Sequence, residues 1–217
     1  SLNGYPPLVD PLTIIREPGS AWKYAGSGYT LLQLLIEEVS GESFESYIQK
    51  VVLEPLEMKD STFDYNKLNK KMLCKAYDEN SESVANYLFT EKAAAGLYAT
   101  GPDLAKFVAA SLQGPNNEMP GRNILSSDTV SRMFTATKES GDTWGLGYQT
   151  GFKYFVTEED KVPHITKDAI LHSGSNYGWK ALFIANKRSD KGIIILTNGD
   201  SGGQFLFELA RIWDKVN

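Results

Sequence analysis

Leu171-His172-Ser173-Gly174-Ser175-Asn176-Tyr177-Gly178-Trp179 is the stretch on which the reading of this chain turns, together with Leu196-Thr197-Asn198-Gly199 downstream. Ala169 to Gly174 is a short run, and Trp179 to Ala185 and Gly192 to Thr197 are mostly apolar and rich in β-branched residues, as strands are. Arg188-Ser189-Asp190-Lys191 separates the last two with the polar length of a hairpin loop, so the runs predict antiparallel strands. The aromatics and glycines from Trp144 to Val156 predict a further strand. Phe205, Leu206, Leu209, Ile212, Trp213 and Val216 repeat at helical spacing and predict a terminal helix covering one sheet face.

Upstream the period is helical. Pro6, Pro7, Pro11 and Pro18 exclude a regular helix between Asn3 and Gly19, which reads as a surface loop. Leu31, Leu32, Leu34, Leu35, Ile36 and Val39 are apolar around most of a helix that stops at Gly41, which predicts a buried helix. Ser43 caps a second helix with Phe44, Tyr47, Ile48, Val51 and Val52 on one face, ended by Pro55. Residues 57–92 read as irregular. Gly101-Pro102-Asp103 opens another helix, and Ser127-Asp128 a shorter one carrying Val130, Met133 and Phe134. Helices first, then strands, then one helix is an α+β order. It predicts a single domain over 1–217, mainly helical over about 20–140, with an antiparallel sheet and C-terminal helix over about 141–217.

The 217 residues are 41% hydrophobic and 23% charged, ordinary values for a globular chain. A net charge of −5 with both signs interspersed gives no footprint for nucleic acid or an anionic membrane. No run approaches the roughly 20 apolar residues of a membrane span, and the opening residues are not a signal peptide. Cys74, the single cysteine, reads as a small buried hydrophobe. His164 and His172 are the only histidines and have no cysteine cluster or HExxH spacing, so no zinc site is expected. Gly145-x-Gly147 lacks the helix opening of a dinucleotide loop and reads as a bulge or a close contact, and Glu158-Glu159-Asp160 reads as a solvated loop.

Three segments carry the functional reading. The first runs from Pro18 through Ser20-Ala21-Trp22-Lys23-Tyr24-Ala25-Gly26-Ser27-Gly28-Tyr29 to Leu53-Glu54-Pro55-Leu56. The second is Ala93-Ala94-Ala95-Gly96-Leu97-Tyr98-Ala99-Thr100-Gly101-Pro102-Asp103, and the third is the His172-Ser173-Gly174 stretch. Taken singly, Tyr24 could be an aromatic anchor beside a glycine turn and His172 an ordinary strand histidine. Together the segments resemble the serine β-lactamase/D,D-peptidase family, penicillin-binding proteins and class C β-lactamases included. The first is similar to its Tyr-x-Asn region, and the third to its Lys-Thr-Gly motif in a His-Ser-Gly form.

The resemblance implies a β-lactamase/transpeptidase-like fold whose N-terminal part lies outside these residues. It implies that Tyr24 acts as or within the general base, that His172 orients or polarises the substrate, and that Ser173, Gly174 and the Ser175 amide line the oxyanion side. Gly26 stands where many relatives carry asparagine, so a substrate-contacting amide is absent. Histidine in place of lysine, with a reference pKa near ~6.5, implies weaker anchoring of a substrate carboxylate. The family's Ser-x-x-Lys nucleophile precedes the tyrosine by several tens of residues, so the segment that carries it is expected outside this sequence. Ser20-Ala21-Trp22-Lys23 matches that pattern literally, but it follows a turn and abuts Tyr24, so it is not expected to be the nucleophile.

The expectation is therefore part of a serine hydrolase of β-lactamase, D,D-peptidase or esterase type that acts through an acyl-serine on a small-molecule or peptide substrate, β-lactam-like or acyl-D-Ala-like, with the chain as given inactive. No cofactor is expected, and an extracytoplasmic location follows from the resemblance. The alternative is a non-catalytic module that binds a peptidoglycan-type peptide or a protein. Sheet edges left exposed would allow a dimer.

Overall fold

The computed structural model describes residues 13–150 and 168–216, and at its centre lies an antiparallel sheet in the order β3-β4-β5-β6. These strands are β3 (Gln149–Thr150), β4 (Ala169–Asn176), β5 (Trp179–Asn186) and β6 (Lys191–Thr197). β4 pairs with β5 from Ala169 opposite Asn186 to Asn176 opposite Trp179, and β5 pairs with β6 from Asn186 opposite Lys191 to Lys180 opposite Thr197. The three strands predicted between Ala169 and Thr197 are present, each slightly longer than its apolar run. The aromatic strand predicted from Trp144 to Val156 is only partly found: Gln149–Thr150 is strand, 144–148 form a loop, and 151–156 lie outside the described residues. Pro6, Pro7, Pro11, Glu158-Glu159-Asp160 and His164 lie outside them as well.

Both faces of the sheet are covered. On one, α6 (Gly203–Val216) buries Leu206 and Ala210 against Ala169, Leu171, Leu182, Ile184 and Ile195. On the other, Ile170 and Ala185 meet Val108 of α4 (Gly101–Ala109), Val130 of α5 (Ser127–Met133), and Leu112, Phe134 and Tyr148 beside them. Each large apolar side chain buried in this way contributes roughly 1.5–3 kcal/mol. The α6 stripe differs from prediction: Phe205, Leu209 and Ile212 are exposed, because a 3.6-residue period lets only the row through Leu206, Ala210 and Trp213 face the sheet.

Two further expectations are corrected. The leucine-rich α1 (Gly26–Ser40) ends at Gly41 in the left-handed region as predicted, but it is not buried: Leu31, Leu32, Leu34, Leu35 and Val39 are all exposed. Its one buried residue is polar. Gln33 accepts from the Ala93 N–H and donates to the Thr90 carbonyl, which ties α1 to α3 (Lys92–Ala95), and among the described residues α1 packs on α3 and on α2 (Phe44–Ile48). Cys74 is exposed rather than buried, since it sits in the irregular stretch before the short β1 (Ala76–Tyr77), which pairs with β2 (Ser83–Val84). The second helix runs as α2 and then a wider π-helical turn over Gln49–Leu53, with Phe44 and Leu53 buried. Irregular structure predominates over 57–92, as predicted. Among the described residues β6 is an edge strand of the sheet, with Leu196 exposed on it.

The start of α4 is fixed by an acid that the sequence placed only by its dipole. Thr100 accepts from the Asp103 N–H, and the buried Asp103 carboxylate accepts from the Asp60 N–H at 2.7 Å, the Ser61 hydroxyl at 3.0 Å and Lys106 at 2.8 Å. Burial opposes the charge, but the Lys106 ammonium and the two hydrogen bonds outweigh it and hold the carboxyl below its ordinary range. Asp103→Asn is expected to lose about 1–3 kcal/mol in urea unfolding at neutral pH. A depressed carboxylate stabilises above its unfolded value of ~3.9 and ceases to as pH falls through its folded value, so the gap between wild type and variant should close in acid.

Candidate functional site

The site forms where the residues just before α1 meet the end of β4. Strand alternation puts His172 and Gly174 on the face of Ile170, toward α4 and α5, and Ser173 and Ser175 on the α6 face. β3 pairs only with Ile170 and Leu171, so among the described residues the backbone edge from His172 to Ser175 is paired on one side alone, by β5. Ser173, Gly174 and Ser175 are exposed. Tyr24, also exposed, brings its ring within 6.0 Å of the His172 ring, centroid to centroid. The fold thus joins the two residues singled out as catalytic and sets the three oxyanion-side residues along an open edge next to them.

His172 is half-buried, and its Nδ1 lies 2.8 Å from the Ser173 carbonyl oxygen. A carbonyl only accepts, so in the neutral ring Nδ1 carries the proton and Nε2 presents a lone pair. Burial pushes the imidazole below its ordinary value, and the Ser173 carbonyl only partly offsets this. The ring is therefore neutral near pH 7, an acceptor at Nε2 and not a fixed positive charge.

Neither of two glycines at the site is crowded. A Cβ on Gly174 would meet only the methyl of Ala181, its cross-strand partner, at an ordinary 3.6 Å. Packing does not demand glycine there, and the small Gly174–Ala181 pair leaves room above the sheet beside His172. A Cβ on Gly26 would likewise make an ordinary 3.8 Å contact with Ala94, so the missing amide is not imposed by crowding. The Ala93–Asp103 segment acts as a spacer: Ala94 lies below Gly26, and the Ala95 carbonyl accepts from Asn176 at the end of β4, at 3.4 Å.

The sequence missed Trp22 and Trp144, which complete the ring contacts, and Asn176. Trp144 approaches Trp22 at 5.4 Å, Tyr24 at 5.6 Å and His172 at 5.5 Å. The available signal was aromatic density beside Tyr24 and at 144, but no spacing rule joins such distant residues. Gly145-x-Gly147 proves to be the close-contact case: a Cβ on Gly145 would strike the Met133 carbonyl at 2.1 Å, and Gly147 has φ 84 beside the Tyr29 hydroxyl. Ser20 donates to the Glu17 carbonyl within a turn, ahead of any helix, so Ser20 and Lys23 are not one helical turn apart.

Among the described residues no group of His, Cys, Asp and Glu could hold a metal ion, and no helix is long and apolar enough to cross a membrane. The groove between α4 and β6, lined by Gly101, Pro102, Ala105, Gly192, Ile194 and Leu196, offers no side chain for chemistry.

A family model described as Beta-lactamase matches residues 7–217. PbpX of Bacillus subtilis (strain 168), a protein named for penicillin binding, is 30% identical over 145 residues, which is 62% of this chain and 33% of that protein. The chain thus spans about a third of the length of this curated relative. The octameric penicillin-binding protein homologue from Pyrococcus abyssi superposes with a TM-score of 0.63 at 25% identity, over 85% of this chain and 40% of its own. The β-lactamase/D-alanine carboxypeptidase from Pseudomonas syringae has a TM-score of 0.64 at 16% identity, over 82% and 54%, which is a likeness of fold.

The neutral state of His172 is directly measurable. Its ring proton should titrate below ~6.5 by NMR, with His172→Gln assigning the resonance. Between that unfolded value and the lower folded one the unfolded chain takes up the proton first, so stability falls as pH is lowered through the window, and His172→Gln should flatten the fall. Titration at or above the reference value would contradict the assignment.

Proposed function

The chain belongs to the Beta-lactamase family, and from that premise we propose that it supplies one side of a serine-hydrolase site that works through an acyl-serine on a peptide, ester or amide. The observation that carries this is the meeting of the Tyr24 and His172 rings beside an exposed strand edge that, among the described residues, is paired on one side. In this reading Tyr24 takes the proton of the nucleophilic serine as its oxygen attacks the substrate carbonyl. The Ser175 N–H donates to that carbonyl oxygen as it gains negative charge, and Gly174, which has no side chain, lets the substrate come close to the strand on the His172 face.

A tyrosine has a reference pKa near ~10 and serves as base only beside a cation. The neutral His172 does not supply one, and the lysine of a Ser-x-x-Lys helix would. His172 Nε2 is suited to accept a hydrogen bond from a substrate N–H or hydroxyl and unsuited to anchor a carboxylate, which points to amides and esters over free acids. Because Ser20 lies in a turn, the nucleophile is proposed to reside outside these 217 residues and the chain alone to be inactive. An extracytoplasmic location belongs to the same proposal and rests on the family.

A second reading, a non-catalytic module that binds a peptide or protein, is favoured by one observation: Gly26 lacks the amide although packing leaves space for a side chain.

Intact mass after exposure to a fluorophosphonate separates the two. The 217-residue chain should take up no adduct, whereas a longer protein that contains it and a Ser-x-x-Lys helix should be labelled at that serine. In the longer protein Tyr24→Phe should slow turnover about 10²- to 10⁴-fold with little change in binding. An adduct on Ser20 would overturn the assignment of the nucleophile, and a longer protein that stays unlabelled would favour the binding module.

A further inference from the structure

Trp22, Tyr24, Trp144 and His172 form a ring cluster that belongs to none of the buried hydrophobic cores. Trp144 is its hub, stacked on Trp22 with 27° between planes, tilted at 60° to Tyr24, and edge-on to His172 at 80°. Trp22 and Tyr24 are 38% and 58% exposed, so the cluster opens to solvent where substrate would lie. Stacked rings left open to water at a reactive edge forgo the gain that burial would give them.

The backbone that carries Trp144 is rigidly pinned. Its N–H donates to the Ser140 hydroxyl at 3.0 Å, its carbonyl accepts from the Thr137 N–H at 2.9 Å, and the next residue, Gly145, donates to the Tyr148 carbonyl at 2.8 Å. On the sheet face of His172, a Cβ on Gly174 would meet only the Ala181 methyl at 3.6 Å, so among the described residues no bulky side chain stands at that position. Burial pushes the His172 imidazole below its ordinary value, so the cluster gains no fixed positive charge from it.

We propose that Trp144, backed by Trp22, is a specificity-determining wall of this site, and that the acyl donor presents a neutral aromatic or large apolar side chain to it. This rests on the acyl-donor reading above. It names the class of substrate: an amide or ester of an aromatic or bulky apolar acyl group, not a small one such as alanyl. Aromatic groups at a preformed ring surface gain offset or edge-on contacts beyond their buried area.

The test is binding by the 217-residue chain, read from the indole N–H resonances of its four tryptophans, Trp22, Trp144, Trp179 and Trp213. The probes are N-acetyl-D-phenylalaninamide, its L enantiomer and N-acetyl-D-alaninamide. At least one phenylalaninamide should shift the Trp144 and Trp22 signals saturably and bind about threefold to tenfold more tightly than the alaninamide. Trp144→Ala should remove that preference, bringing the phenylalaninamide affinity down to that of the alaninamide, while Trp144→Phe should keep part of it. Should Trp144→Ala fail to fold, the exposed Trp22→Ala serves, with a smaller loss expected. The inference is overturned by equal affinities, by a preference that survives these substitutions, by shifts at Trp179 or Trp213 instead, or by no saturable binding at millimolar concentration. Because the readout is binding and not turnover, fluorophosphonate labelling can fail while the aromatic preference stands, and the reverse.

Discussion

The antiparallel pairing of β4 with β5 is the constraint on which the rest of the structure depends. Its register sets Leu171 opposite Ile184 on the α6 face and Ile170 opposite Ala185 on the face of α4 and α5. A slip of one residue would turn each apolar row to the wrong layer, and with both faces covered there is no solvated side to absorb the error. The same alternation continues past Leu171 into the site, where it puts His172 and Gly174 on one face and Ser173 and Ser175 on the other. The site therefore inherits its accuracy from the core. The turn that closes the pair is tied down by Asp200, which accepts from the Gly178 N–H and pairs with Lys180.

The electrostatics of that site follow from where β4 leaves the core. Leu171 is fully buried and Ser173 is exposed, so His172 stands at the margin, desolvated enough to stay neutral and close enough to the Ser173 carbonyl to fix its tautomer. A lysine at this position would bring a charge and three donors, whereas the neutral imidazole brings one acceptor. In the proposed reading, recognition then rests on shape and ring contacts in place of charge, and Trp144 and Trp22 lie where such contacts would form.

α1 shows the limit of local reasoning in the other direction. Its leucines are helix formers, its stop at Gly41 is correct, and yet polar side chains tie it to its neighbours, Gln33 to the α3 segment and Glu37 to the Phe44 N–H of α2. The helix displays its apolar rows where a soluble chain normally displays charge. Apolarity around a helix says that burial would be favourable but not which surface provides it.

The sequence by itself determined the element types and their order, because helix stops, proline and acid at helix starts, and β-branched runs act within a few residues. The α+β order, the strands of the hairpin and the helix at Gly101-Pro102-Asp103 were legible for that reason. So were Tyr24, His172 and the Ser173–Ser175 edge as a resemblance, since short motifs survive in one dimension. Only the tertiary structure decided that α1 and Cys74 face solvent, that Phe205, Leu209 and Ile212 fall outside the buried row of α6, and that Asp103 is an internal anchor. Only it joined Trp22 and Trp144 to Tyr24 and His172. Burial and ring contact are relations between surfaces brought together by the β4–β5 register, and no period or spacing along the chain encodes which distant surfaces will meet.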